Sequence, residues 1–143
     1  MRVLYPGGFD LLHPAHMTAL RTARTIAGPD GSLIVGVNSD EFMAHYKREP
    51  IRTERQRVLE VVDTGIADEV ILWDGPEGQD AQILAVSPDV YIAGTDWLGK
   101  DLAQQLGIPS LAWFDEHTIS LMFLRRTPGI STTQLIEGTC LLR

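Results

Sequence analysis

Hydrophobic and polar positions alternate along the chain in blocks. "RVLY" (2–5) is a short apolar run ending in Pro-Gly-Gly, which predicts a strand followed by a tight turn. From His16 to Ala27, Met17, Leu20, Ala23 and Ala27 recur at three- and four-residue spacing and predict a helix, closed by "GPDG" (28–31). "SLIVGVN" (32–38) is a continuous run of the kind buried on both faces of a sheet. "SDEFMAHY" (39–46) opens with a capping serine and two acids, good chemistry for a helix start. After the polar, basic loop "KREPIR", Thr53 starts a helix with Gln56 as its capping-box partner and Val58, Val61 and Val62 as its buried stripe.

The second half repeats the alternation. "DEVILW" (68–73) predicts a strand and "GPEGQD" (75–80) a loop, with Asp80 capping a short helix through Val86. "VYIAG" (90–94) predicts a strand, followed by a helix from Trp97 to Leu106. "IPSLAWF" (108–114) and "ISLMFLR" (119–125) are two further strand candidates, and "STTQLIEGTCLLR" closes the chain as a helix with a weak point at Gly138. Strands alternating with helices imply parallel units with helices on both faces, hence an α/β doubly wound parallel sheet in one domain over 1–143. Ligands of such sheets sit beyond the carboxyl ends of the strands. "PGGFD", "GTDW" and "RRTPGISTT" follow the first, fourth and last strands.

Composition narrows the function. The chain is 44% hydrophobic and 22% charged, ordinary for a globular protein, and no apolar run approaches the roughly 18 residues of a membrane span. The opening residues lack the apolar core of a signal peptide, and the single cysteine, Cys140, excludes an intrachain disulfide framework, so a cytoplasmic protein is expected. A net charge of −7 argues against a nucleic-acid partner. Yet Lys47, Arg48, Arg52, Arg55 and Arg57 cluster, and Arg125 and Arg126 form a second knot. Most charge runs are plain solvated helix faces, but basic knots in an acidic chain raise the odds of a small anionic ligand.

"GGFDLLHPAH" (7–16) is the densest chemistry in the chain. A zinc site needs more ligands than His13 and His16, and only His45 and His117 remain as imidazoles. A nucleophile would have to be Cys140, read as structural, or Ser131, read as a helix cap. Phosphate uses every unusual residue: Gly7 and Gly8 let backbone approach, the following helix turns its positive end there, and the histidines add donors. The alternative has His16 capping a helix and His13 in a surface loop, and the stretch alone leaves both open.

The stretch resembles the H-x-G-H signature of the nucleotidyltransferase superfamily, and "RTPGISTT" (126–133) resembles the second signature of its cytidylyltransferase branch. "DEF…ERQR" (40–57) is similar to the region ending in an arginine at a helix start, and "GTDWLGK" (94–100) to a segment of the glycerol-3-phosphate cytidylyltransferases. There are departures: Ala15 replaces the signature's second glycine, Gly8 its usual Thr or Ser, and Tyr46 a basic residue, and a short stretch around Trp113–Ser120 is added.

The resemblance implies a Rossmann-like nucleotidyltransferase fold, CTP, a phosphomonoester acceptor such as glycerol 3-phosphate, Mg²⁺ carried with the nucleotide, and a homodimer. It implies catalytic roles for His13, His16 and Arg126, the histidines donating to the α- and β-phosphates and Arg126 and Thr127 holding the triphosphate tail. Gly7, Gly8, Phe9, Gly94 and Ile130 fall among the implied nucleotide-binding residues, with Ser131 and Thr132 cradling phosphate. Asp96 would accept from the cytosine amine, Trp97 would pack near base or acceptor, and Asp10 would orient a histidine or reach Mg²⁺. Lys47, Arg48 and Arg57 would bind the acceptor phosphate or the triphosphate. A related FAD-synthase-like adenylyltransferase and a catalytically impaired nucleotide-binding homologue are the alternatives.

Overall fold

The computed structural model describes residues 1–46, 48–94 and 101–125. Their elements run β1 (Arg2–Gly7), α1 (Pro14–Ala27), β2 (Ser32–Asn38), α2 (Asp40–Tyr46), α3 (Glu54–Asp63), β3 (Glu69–Trp73), α4 (Gln79–Val86), β4 (Val90–Gly94), α5 (Leu102–Leu106), α6 (Ala112–Glu116) and β5 (Ser120–Leu124). The strands form one five-stranded sheet in the order β3-β2-β1-β4-β5, and every neighbouring pair is parallel. This is the doubly wound α/β arrangement expected from the alternation of apolar runs. Among the described residues no helix is long and apolar enough to cross a membrane.

Successive strand residues face opposite layers, as the two-residue period of a strand requires. Val3, Leu33, Val35, Val37, Val90 and Ile92 pack with Leu20, Ala23 and Ala27 of α1 and Val61 of α3. Leu4, Ile34, Tyr91 and Ala93 face the other way, onto Phe42, Ile83, Leu102, Leu106, Trp113 and Phe114. Strand residues buried on both faces account for the unbroken apolar runs in the sequence.

The Thr53 capping box forms: the Thr53 side chain accepts from the Gln56 N–H at 3.2 Å and the Gln56 side chain from the Thr53 N–H at 2.9 Å. Ser39 likewise accepts from the Phe42 N–H at 3.1 Å. Other expectations are corrected. The run 108–114 is not a strand: Ala112–Glu116 is helical, with Trp113 N–H bonded to the Ser110 carbonyl and Phe114 N–H to the Leu111 carbonyl, both at 3.1 Å. A short apolar run fits strand or helix equally, and here Trp113 and Phe114 are both buried, edge to face at 5.3 Å. Asp80 is not the cap of α4; Gly78 is, in left-handed conformation, and Asp80 lies in the first turn. Asp101 caps α5 through the Gln104 N–H at 2.9 Å, so within the described residues that helix is Leu102–Leu106. Val62 is half exposed; Arg57 joins Val61 as the buried pair of α3. The helix expected from 131 onward lies outside the described residues.

Arg24 ties α1 to the sheet. Its guanidinium donates to the Gly28 and Gly31 carbonyls at 2.7 Å each and pairs with Asp68, whose carboxylate also accepts from the Leu33 N–H at 2.7 Å. The Leu33 N–H, with Arg24 adding to it, holds the Asp68 carboxyl below its ordinary value against the opposing effect of burial. A depressed carboxyl contributes stability above its unfolded-state pKa and loses it as pH falls through the lower folded value. Urea midpoints should therefore fall below about pH 3.9, and Asp68→Asn should make that acid limb shallower. An unchanged limb would remove Asp68 from the explanation.

Candidate active site

The sheet opens at the carboxyl ends of its central strands. β1 pairs with β2 along its whole length, Arg2 to Gly7, but with β4 only at Val3 and Leu4. Past Leu4 and Tyr91 the two strands no longer share a register, while β4 continues paired with β5 to Gly94. This parting falls where the strand order reverses, the place at which doubly wound sheets bind ligands. Gly7 ends β1 on one side and Gly94 ends β4 on the other. Among the described residues, a side chain begun at Gly94 would meet nothing within 4 Å.

The turn leaving β1 is strained. Phe9 and Leu11 adopt left-handed φ values of 53° and 52°, which cost non-glycine residues of order 1–3 kcal/mol each and persist where surroundings hold them. Phe9 is held: it is buried, edge to face with Tyr5 at 5.6 Å, and its ring lies 5.6 Å from that of His16. A Cβ at Gly7 would come within 2.9 Å of the Phe9 ring, so Gly7 must be small. Gly8 differs, because a Cβ there would meet the Met43 methyl at 3.0 Å and its sulfur at 3.3 Å, the far end of a flexible side chain. Gly8→Ser should therefore cost less than about 1 kcal/mol by urea denaturation. A loss of several kcal/mol would show that Met43 cannot give way.

His13 and His16 meet at the start of α1. His13 is the N-cap, Pro14 follows, and His16 stands in the first turn, so the helix begins before the expected His16. The His13 backbone N–H donates to His16 Nδ1 at 3.3 Å, and the rings stack at 3.8 Å with planes 17° apart. An Nδ1 that accepts cannot also carry a proton, so the neutral ring holds its proton on Nε2, as a donor. The helix end adds backbone N–H groups and partial positive charge, the elements of an anion site.

The basic residues divide. Asp10, 2% exposed, accepts from the Ile51 N–H at 2.8 Å, the Arg52 N–H at 2.9 Å and Arg48 Nη1 at 2.9 Å. Burial pushes its carboxyl up, but the Arg52 and Ile51 amides and the Arg48 guanidinium outweigh it and hold the carboxyl below its usual value. Arg57, expected as a phosphate ligand, is fully buried instead. Nη1 donates to the Gly8 and Asn38 carbonyls at 2.8 and 2.7 Å, Nε to the Arg52 carbonyl at 3.0 Å, and Nη2 to Asp40 at 2.7 Å. Nη1 is spent on the backbone where β1 and β2 end, and the other two nitrogens on the Arg52 carbonyl and Asp40. Asp40 and Met43, which the sequence placed only as helix residues, thus belong to the support of the motif turn. Lys47, Asp96, Trp97, Arg126, Thr127, Ile130, Ser131 and Thr132 lie outside the described residues.

Among the described residues no three His, Cys, Asp or Glu side chains come together as a metal site. Glycerol-3-phosphate cytidylyltransferase of Bacillus subtilis is 30% identical over 138 residues, 95% of each chain. FAD synthase of Methanopyrus kandleri is 43% identical over 95 residues; the match covers 66% of this chain and just under two thirds (63%) of that one. The lipopolysaccharide core biosynthesis protein of Thermoplasma volcanium shares the fold, with a TM-score of 0.66 at 24% identity over 89% of this chain and 98% of that one. The family model described as cytidylyltransferase-like matches residues 4–138, and the chain belongs to that family.

Proposed function

We propose that the protein transfers a cytidylyl group from CTP to a small phosphomonoester, glycerol 3-phosphate being the first acceptor to test. The observation that carries this is His16, whose Nδ1 accepts the His13 N–H and whose ring stacks on His13 at the mouth of α1, beside the parting of β1 and β4. An oxygen of the acceptor phosphate attacks the α-phosphorus, the bond from that phosphorus to the bridging oxygen breaks, and pyrophosphate leaves. The phosphomonoester is already charged about −1.5 to −2, so no general base is needed. The protein's part is to position the groups and to neutralise charge as it develops. His13 and His16 donate to the phosphates. Arg126, Thr127, Ser131 and Thr132 hold the tail, and Asp96 reads the base, as the sequence resemblance implies.

Mg²⁺ fits as an ion carried by the triphosphate and water, since Asp10 already serves three protein donors and the described residues build no cage. It would supply charge neutralisation on the leaving group. A cytoplasmic homodimer belongs to the same proposal.

A second reading has a specific observation behind it. The 43% identity with an FAD synthase favours adenylyl transfer from ATP to a flavin phosphate. The two separate in one experiment: each nucleoside triphosphate is incubated with Mg²⁺ and either glycerol 3-phosphate, other phosphomonoesters or FMN, and pyrophosphate is followed. Release with CTP and glycerol 3-phosphate is expected. Release only with ATP and FMN would replace the first reading by the second.

A further inference from the structure

The loop at 48–52 lies between α2 and α3 and the turn at 7–11 leaves β1, yet one carboxylate joins them. Asp10 lies between the two left-handed residues Phe9 and Leu11, and its acceptors are taken by the Ile51 and Arg52 amides and by Arg48 Nη1. The sequence separation is 41 residues to Ile51, so the contact fixes two loops and not a local turn.

Arg48 is held in an unusual way. Among the described residues, both of its side-chain hydrogen bonds leave from Nη1, to Asp10 at 2.9 Å and to the Glu49 carbonyl at 3.1 Å. Nε and Nη2 are buried and have no hydrogen-bond partner among the described residues. These two nitrogens form the side-on fork of a guanidinium, the edge that takes two oxygens of one carboxylate or phosphate. Buried charged donors without acceptors are rare in finished structures, so each one calls for an acceptor.

We propose that Asp10 is a positioning residue: it clasps the 48–52 loop to the motif turn and, by occupying Nη1, presents the Nε/Nη2 fork of Arg48 to a phosphate of the bound substrate. This rests on the reading of the site as one for a phosphate-bearing nucleotide. Asp10 then acts on substrate through Arg48, in place of the direct role in nucleotide or Mg²⁺ binding expected from the sequence.

Calorimetric titration with inorganic pyrophosphate, on the full chain, tests it. Asp10→Asn, Arg48→Ala and Arg48→Lys should each weaken binding by about tenfold or more, lysine included because it keeps the charge and loses the fork. Asp10→Asn combined with Arg48→Ala should bind no worse than Arg48→Ala alone. The direction is diagnostic, because a carboxylate that merely repelled the anion would give tighter binding when neutralised. Unchanged or tighter binding by Asp10→Asn, full additivity in the double variant, or no binding by the unaltered protein overturns the proposal. Asp10→Glu carries the same comparison if the asparagine variant does not fold. Pyrophosphate binding that behaves as expected, without turnover of any nucleoside triphosphate, would overturn the transferase reading and leave the clasp standing.

Discussion

Replacing His16 with alanine is expected to lower kcat by about 100-fold or more while changing KM for the nucleotide little, the signature of a donor that acts in the transition state. The His13 N–H holds Nδ1 at 3.3 Å, which leaves Nε2–H as the donor. Negative charge on the phosphate oxygens grows as the bond to pyrophosphate breaks, so a fixed donor gains strength at that point. The ring's structural part is small. Its contacts include the stacked His13 ring, the Phe9 ring at 5.6 Å and one long hydrogen bond from the His13 N–H, so the variant should fold with a urea midpoint close to that of the parent. An unchanged kcat would remove His16 from the chemistry. A raised KM with kcat preserved would reduce it to a ground-state contact.

Arg57→Ala should have the largest effect on stability, about 3–5 kcal/mol in urea unfolding. The side chain is fully buried and serves three backbone carbonyls, those of Gly8, Asn38 and Arg52. Removing it leaves those acceptors without their donor, at about 1–3 kcal/mol each before relaxation, and opens a cavity. The pair with Asp40 adds little to this sum because the Asp40 side chain is 42% exposed. Arg57→Met separates the contributions: it refills much of the volume and supplies no donors, so it should still cost more than about 2 kcal/mol. A methionine variant as stable as the parent would mean that packing, and not the carbonyls, is what Arg57 provides.

Arg57 also shows where the sequence misleads. At position 57 it stands four residues before Val61, the spacing of the buried face of α3, but a cation in a basic cluster invites a ligand role. Which carbonyls lie beneath it depends on where two separate strands end, and no local pattern records that. The Asp10 clasp is hidden for the same reason, since two of its donors are backbone amides with no side-chain signature. The strands were legible because central parallel strands are apolar on both faces, and α3 because Thr53 and Gln56 are three residues apart on a capping pattern. The stretch 108–114 was not, since a short apolar run fits strand and helix alike and only packing against β4 and β5 decides it. The histidine pair was visible by spacing. That His13 caps the helix and sets its N–H on His16 Nδ1 depends on how the turn at 7–13 folds, which no spacing records.

The claim that matters most is transfer of a nucleotidyl group at this opening in the sheet. Phosphorus NMR of the protein with CTP, glycerol 3-phosphate and Mg²⁺ reads it directly, because every phosphorus atom of reactant and product is seen at once. Expected are paired resonances of a new diphosphate diester and one equivalent of pyrophosphate, growing together and nearly lost in His16→Ala. Orthophosphate as the only product, or a spectrum that stays unchanged with every nucleoside triphosphate and every phosphomonoester supplied, would contradict it.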